Sequence, residues 1–79
     1  MPTVQELLTF EAAHPRPTGA KHERIRTELG LAPAVYYRDL LAAAQSLEGW
    51  EHDPFTANRV IMRVKFAREK RGAWLGARQ

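Results

Sequence analysis

A short turn between two helical patterns constrains the fold of this 79-residue chain more than any other feature. Gly30 follows Leu29 at the position where a helix most easily ends, because glycine enters the left-handed conformation without a Cβ clash. Pro33 suits the first turn of the next helix, where its missing N–H costs nothing. A turn of about three residues fits the near-perpendicular crossing of a helix-turn-helix. We therefore predict helices over residues 19–29 and 33–47, joined by this turn.

A helix at each end of the chain completes the prediction. Thr3-Val4-Gln5-Glu6 has the capping-box pattern and starts a helix that should end near Ala13. Asp53 before Pro54 is a strong start signal, because the carboxylate satisfies free N–H groups at a helix terminus. The last helix should end at Gly72.

These signals predict an all-α domain of four helices over residues 1–72, with a central helix-turn-helix, and a short tail over residues 73–79. Gly49 is expected to interrupt the helical structure, in a non-helical connector between the third and fourth helices. In the second helix, the residues expected to face the core are Ala20, Ile25 and Leu29.

Composition excludes several classes of protein. The chain has no cysteine, and its three histidines lie on separate segments, so we expect no metal and no cofactor. It has no nucleophile elbow, glycine-rich phosphate loop or paired carboxylates, so we expect no enzyme and assign no catalytic residue. It has no leader sequence and no apolar stretch of membrane-spanning length, so we expect a cytoplasmic protein without a membrane partner.

Charge is distributed unevenly along the chain. Residues 1–57 carry five Lys/Arg and eight Asp/Glu, a balance of −3, whereas residues 58–79 carry seven and one, a balance of +6. Six cations fall within residues 59–71: Arg59, Arg63, Lys65, Arg68, Lys70 and Arg71. Such a segment favours binding to nucleic acid or to an acidic protein surface.

A DNA-binding interpretation assigns roles to residues of the third helix and to seven basic residues elsewhere in the chain. The first turns of the third helix would enter the major groove of double-stranded DNA. The residues expected to contact bases are Ala34, Val35, Tyr37 and Arg38. Those expected to contact phosphates are Lys21, Arg24, Arg26, Arg59, Arg63, Lys70 and Arg71. Tyr36 shares a stripe with Leu40 and is expected in the core.

Several segments carry a resemblance to a known family. They are Leu8-Thr9-Phe10-Glu11, Gly19-Ala20-Lys21, Ile25-Arg26, Leu29-Gly30-Leu31, Pro33 with Tyr36-Tyr37, Leu40-Leu41, and Asp53-Pro54. The chain resembles short actinobacterial and actinophage helix-turn-helix proteins grouped as a domain of unknown function. The resemblance implies a compact helical domain of the type found in the promoter-reading region of sigma factors, without an assigned role.

Two positions depart from that pattern. Ala32 stands where such motifs more often have a serine cap, so the third helix should start less firmly by about 1 kcal/mol. Val35 stands where a polar or basic residue is usual. Arg38 is therefore the only charged donor in the forward part of this helix.

Two interpretations remain open at this point. One is a DNA-binding transcriptional regulator. The other is a helical protein-interaction module that binds a partner, such as a host transcription component, and keeps the motif as a scaffold. Its expected interface consists of Phe55, Met62, Phe66, Trp74 and Leu75. Homodimerisation is compatible with both interpretations.

Overall fold

A computed structural model of the chain describes the backbone of residues 1–77 and the side chains of residues 1–70. Every regular element in this part of the chain is helical, which confirms the all-α prediction. The helices are α1 (Val4–Ala13), α2 (Gly19–Arg24) with a π-helical continuation (Ile25–Leu29), α3 (Pro33–Ala44), α4 (Leu47–His52) and α5 (Pro54–Ala77).

The first and last helices start where the sequence predicts. At α1, the Glu6 N–H donates to the Thr3 hydroxyl at 3.1 Å, and the Thr3 N–H donates to the Glu6 carboxylate at 3.4 Å. At α5, the Thr56 N–H donates to Asp53 Oδ1 at 3.1 Å. Hydrogen bonds from the side chain and backbone of Thr56 hold the pKa of Asp53 below its ordinary value. Both caps are confirmed.

The turn between α2 and α3 also follows the prediction. Gly30 has a φ of 67°, in the left-handed region, and its N–H donates to the Ile25 carbonyl. This bond spans five residues, which gives the last turn before Gly30 its wider π-helical form. Ala32 occupies the cap of α3 without a side-chain hydrogen bond, as its methyl group requires.

The predicted connector after α3 is instead a short helix. α3 ends at Ala44, and Ser46 caps α4 by accepting from the Gly49 N–H at 3.0 Å. A Cβ built at Gly49 would overlap the Ala43 carbonyl oxygen and lie 3.1 Å from Leu8 Cδ1. The expectation that Gly49 interrupts the helical structure was therefore wrong. Gly49 lies within α4, and its missing side chain lets α4 pack closely against the end of α3.

The last helix is longer than predicted. α5 continues through Gly72 to Ala77, so the predicted helix end at Gly72 was wrong. Glycine weakens a helix by about 1 kcal/mol relative to alanine, but it does not by itself end one.

The core lies where α1 packs against α3, α4 and α5, and where α3 packs against α5. Its buried apolar members are Leu7, Leu8, Phe10, Ile25, Tyr36, Leu40, Ala43, Ala44, Ala57 and Val60. The core position of Tyr36 is confirmed. In the π-helical continuation of α2, Ile25 is buried and Leu29 packs against the core. In α2 itself, Ala20 is exposed and Lys21 is buried in its place.

Candidate nucleic-acid interface

The solvent-exposed side of α3, called its outer face below, carries mostly small side chains and little charge. Its buried side consists of Tyr36, Leu40, Ala43 and Ala44. The exposed positions are Ala34, Arg38 and Ala42, and the exposed C-cap residue Gln45 continues this face. Of the four predicted base contacts, Ala34 and Arg38 thus lie on the exposed face.

The other two predicted base contacts lie at the margins of this face and are half-buried. The Tyr37 hydroxyl lies 3.3 Å from His22 Nε2. The Tyr37 and Tyr36 rings pack edge to face, with their centroids 5.0 Å apart. Burial raises the pKa of Tyr37, so its hydroxyl keeps its proton. Val35 occupies the opposite margin. Tyr37 therefore joins α3 to α2 as well as bordering the outer face.

Arg38 is the charged group of the outer face. Its side chain is 72% exposed, and its Nε donates to Asp39 Oδ1 at 3.1 Å. An exposed pair of this kind contributes about 0–1 kcal/mol, so it does not hold the guanidinium against a stronger partner. The two Nη groups are the ones that match the O6 and N7 acceptors of guanine.

Lys21 does not lie at the surface. Its Nζ donates to Glu11 Oε1 at 2.6 Å, and the two side chains are 2% and 0% exposed. The Tyr36 hydroxyl donates to the same oxygen at 2.7 Å, and Arg63 Nη1 donates to Glu11 Oε2 at 3.4 Å. The prediction that Lys21 contacts phosphate is therefore corrected: its ammonium compensates a buried carboxylate.

Two arginines of α5 turn toward the end of α1. Arg59 Nη2 donates to the Glu11 carbonyl at 3.3 Å, and Arg63 Nη2 donates to the Pro15 carbonyl at 3.1 Å. The Glu11 carbonyl belongs to the last turn of α1, where free carbonyls attract cations, and the Pro15 carbonyl lies in the loop that follows. Arg59 and Arg63 thus help to anchor α5 to α1, but both side chains remain exposed, so their predicted phosphate contacts stay predictions.

Two other cations of α5 lie beside α3. Lys65 and Arg68 line a shallow groove of about 170 Å³ together with residues of both helices: Leu41, Gln45, Ile61, Val64 and Glu69. Lys65 and Arg68 are exposed. Lys65 Nζ lies 4.0 Å from Glu69 Oε1, and both side chains are about 60% exposed, so this pair is weak.

The remaining predicted contacts are placed as follows. On α2, Arg24 pairs with Glu28 and Arg26 pairs with Glu23, each at 3.5 Å and largely exposed. Lys70 is exposed, and Phe55, Met62 and Phe66 lie on α5. The side chains of Arg71, Trp74 and Leu75 lie outside the described part of the chain. All of these remain predictions.

Glu11 and Gln45 are site residues that the sequence analysis missed. Glu11 follows Leu7 by four residues and Leu8 by three, so helical periodicity places it on the apolar face of α1. That spacing was the sequence signal that Glu11 would be buried. No sequence signal marked Gln45, because its position in the groove depends on how α3 packs against α5.

Within residues 1–77, no group of three or more His, Asp or Glu residues is arranged to hold a metal ion. None of the five described helices is both long enough and apolar enough to cross a membrane.

The fold and these surfaces define a small all-α domain with a basic last helix. The chain belongs to the family described as protein of unknown function (DUF3263), whose model matches residues 3–73. The match extends from the cap of α1 into α5 and includes both Glu11 and Gly30. It confirms the resemblance to a family of unknown function. Neither a curated protein nor a solved structure matches the chain.

Proposed function

We propose that this domain is a helix-turn-helix protein that binds double-stranded DNA and regulates transcription. The proposal puts α2 and α3 in the roles of the two motif helices, as in the promoter-reading region of sigma factors. The observation that supports it best is the groove in which Lys65 and Arg68 of α5 lie beside Gln45 of α3. Cations at this edge are suited to hold the DNA backbone while α3 faces the bases.

The outer face of α3 indicates modest base specificity. Ala34 and Ala42 present methyl groups, which permit close approach to the floor of the major groove. Arg38 supplies the charged donors for a guanine, and Gln45 supplies an amide at the other end of the face. Most of the affinity then comes from phosphate contacts, which carry no sequence information.

The test is fluorescence anisotropy with a labelled mixed-sequence duplex over a series of salt concentrations. If about three phosphates are neutralised, log affinity should fall against log salt with a slope of roughly −3. Lys65→Gln and Arg68→Gln should each reduce the magnitude of the slope by about 1. Arg38→Ala should lower affinity at every salt concentration.

Lys70→Gln is the matched control, because this proposal, unlike the sequence-based prediction, gives Lys70 no phosphate contact. Lys70 is exposed on the same helix and carries the same charge as Lys65. It lies five residues after Lys65, so the two side chains are about 140° apart around the helix axis. It should leave the slope nearly unchanged. Equal losses in Lys65→Gln and Lys70→Gln would contradict the assignment of the α3 side of α5. The absence of any duplex binding at low salt would overturn the proposed function.

A further inference from the structure

α5 carries a second apolar stripe that the fold leaves uncovered. Phe55 is 89% exposed and Phe66 is 63% exposed, with the half-buried Met62 between them. Spacings of seven and four residues place the three side chains in one line, about 16 Å long, on one side of the helix. This line, Phe55–Met62–Phe66, is called the outer stripe below.

The outer stripe faces away from the core. A helical residue advances about 100° around the axis, so Ala57 and Val60 lie roughly opposite Phe55. Both are buried, and Val64 on the same side is half-buried. The core therefore accounts for one face of α5, and among residues 1–70 it leaves Phe55 and Phe66 of the outer stripe largely uncovered. Single exposed apolar residues are common, but an aligned set on one helix indicates an interaction surface.

The charge beside the outer stripe indicates the chemistry of its partner. Arg59, Arg63 and Lys70 follow one flank. Arg59 and Arg63 also bond at the end of α1, but all three side chains remain exposed and keep their positive charge beside the outer stripe. On the other flank Lys65 pairs with Glu69 at 4.0 Å, so that flank carries no net charge and adds nothing to the positive border. The surface thus combines an apolar line with a positive border. Its complement is an apolar line with acidic borders.

We propose that the outer stripe binds an acidic amphipathic helix of a partner protein. The three anchors match the way such a helix presents residues at positions i, i+3 or i+4, and i+7 over about three turns. A second copy of this chain fits less well, because an antiparallel pairing along the outer stripe brings Arg59, Arg63 and Lys70 against the same flank of the other copy. Like charges placed together oppose association.

This inference does not rest on the proposed DNA function, since it uses a different side of α5. The probe is a fluorescein-labelled amphipathic helical peptide of about 20 residues, with leucines at the anchor positions and glutamates along both flanks. Binding is followed by anisotropy. Phe55→Ala and Phe66→Ala should each weaken binding about tenfold or more. Lys70→Gln should weaken it by a smaller factor, and added salt should do the same.

Three controls separate the alternatives. The same peptide with lysines in place of the glutamates should bind at least about tenfold more weakly, because it repels the basic flank. Circular dichroism should show that Phe55→Ala and Phe66→Ala stay folded, since both side chains are exposed. Their duplex binding should match that of the wild type.

Equal binding of the acidic and basic peptides would overturn the proposal, as would acidic-peptide binding that Phe66→Ala leaves intact. Sedimentation provides a further test. If the wild type is a dimer and Phe66→Ala is a monomer, the outer stripe binds a second copy and the acidic-helix proposal is wrong. If duplex binding is lost with Phe66→Ala while the fold is kept, DNA occupies this surface and the proposal is again wrong.

Discussion

Glu11 is the residue that most changes the functional interpretation of the sequence. Burying a carboxylate is costly unless charge and hydrogen bonds compensate it. Here Lys21, Tyr36 and Arg63 all donate to its two oxygens, from α2, α3 and α5. Among residues 1–70, no buried side-chain nitrogen or oxygen lacks a hydrogen-bond partner. Cations that composition alone would give to a phosphate surface thus serve the core.

Removing one member of this buried pair should be costly. We expect Lys21→Met to lower the free energy of unfolding by about 3–5 kcal/mol, because it leaves a buried carboxylate with less compensating charge. The double variant Glu11→Leu with Lys21→Met should lose less than the sum of the two single variants. Urea unfolding followed by circular dichroism measures all of these.

Lys65→Met is the matched control for charge loss. Lys65 pairs with Glu69 at the surface, so its free energy of unfolding should change by no more than about 0.5 kcal/mol. Similar losses in Lys21→Met and Lys65→Met would contradict a structural role for the Glu11 pair.

Tyr36 should make stability fall at alkaline pH. Burial, followed by its hydrogen bond to Glu11, raises the pKa of Tyr36 well above its ordinary value of about 10. Below pH 10 both states keep the proton. As the pH rises above 10, the unfolded chain releases it while the folded protein holds it, so the free energy of unfolding decreases.

Tyr36→Phe tests this linkage. At pH 7 the variant should be less stable by about 1.5–3 kcal/mol, because it loses a hydrogen bond to an ionised group. Between pH 10 and 11.5 its stability should fall less steeply than that of the wild type, as measured by urea midpoints. Identical slopes for the wild type and the variant would show that the pKa of Tyr36 does not differ between the folded and unfolded states.

At the scale of the elements, the helix ends show which signals are local. Thr3, Thr18 and Asp53 cap their helices through bonds to residues three positions away, and Gly30 takes the left-handed conformation that ends the π-helical turn. These features depend on near neighbours, so they were predictable. Gly49 has a different role, because its constraint comes from the distant Leu8 and from the end of α3.

Gly49→Ala should therefore destabilise the domain by about 1–3 kcal/mol or more, since the added methyl group overlaps the Ala43 carbonyl oxygen. Gly19→Ala is the matched control, because a Cβ there meets nothing within 4 Å. It should be neutral, or stabilising by about 0.4–1 kcal/mol. Thermal unfolding measures both. A tolerated Gly49→Ala would mean that α4 does not pack this closely on α3.

At the scale of the whole molecule, the helices share one core. α1 contributes Leu7, Leu8 and Phe10, while α2, α3 and α5 each add residues to the same cluster, and the Glu11 contacts connect the same four helices. A short helix by itself is marginal in water, so each depends on this packing. The domain should behave as one cooperative unit.

We expect single-step unfolding. The loss of helix, followed by far-ultraviolet circular dichroism, and the loss of fixed aromatic packing, followed in the near ultraviolet, should have the same urea midpoint. The two probes report on the helices and on rings such as Phe10 and Tyr36, which meet at 5.6 Å. Separate midpoints would show that part of the structure unfolds independently.

The sequence by itself determined the helical class, the capped starts of α1 and α5, and the turn at Gly30, because each depends on hydrogen bonds or backbone preferences within a few residues. Tertiary structure alone decided which cations are available to a partner. Arg63 and Glu11 are 52 positions apart, and Lys21 and Glu11 are ten apart. Whether a charge meets solvent or a buried carboxylate depends on how the helices pack, because removing a carboxylate from water requires a partner that only the packed fold brings close.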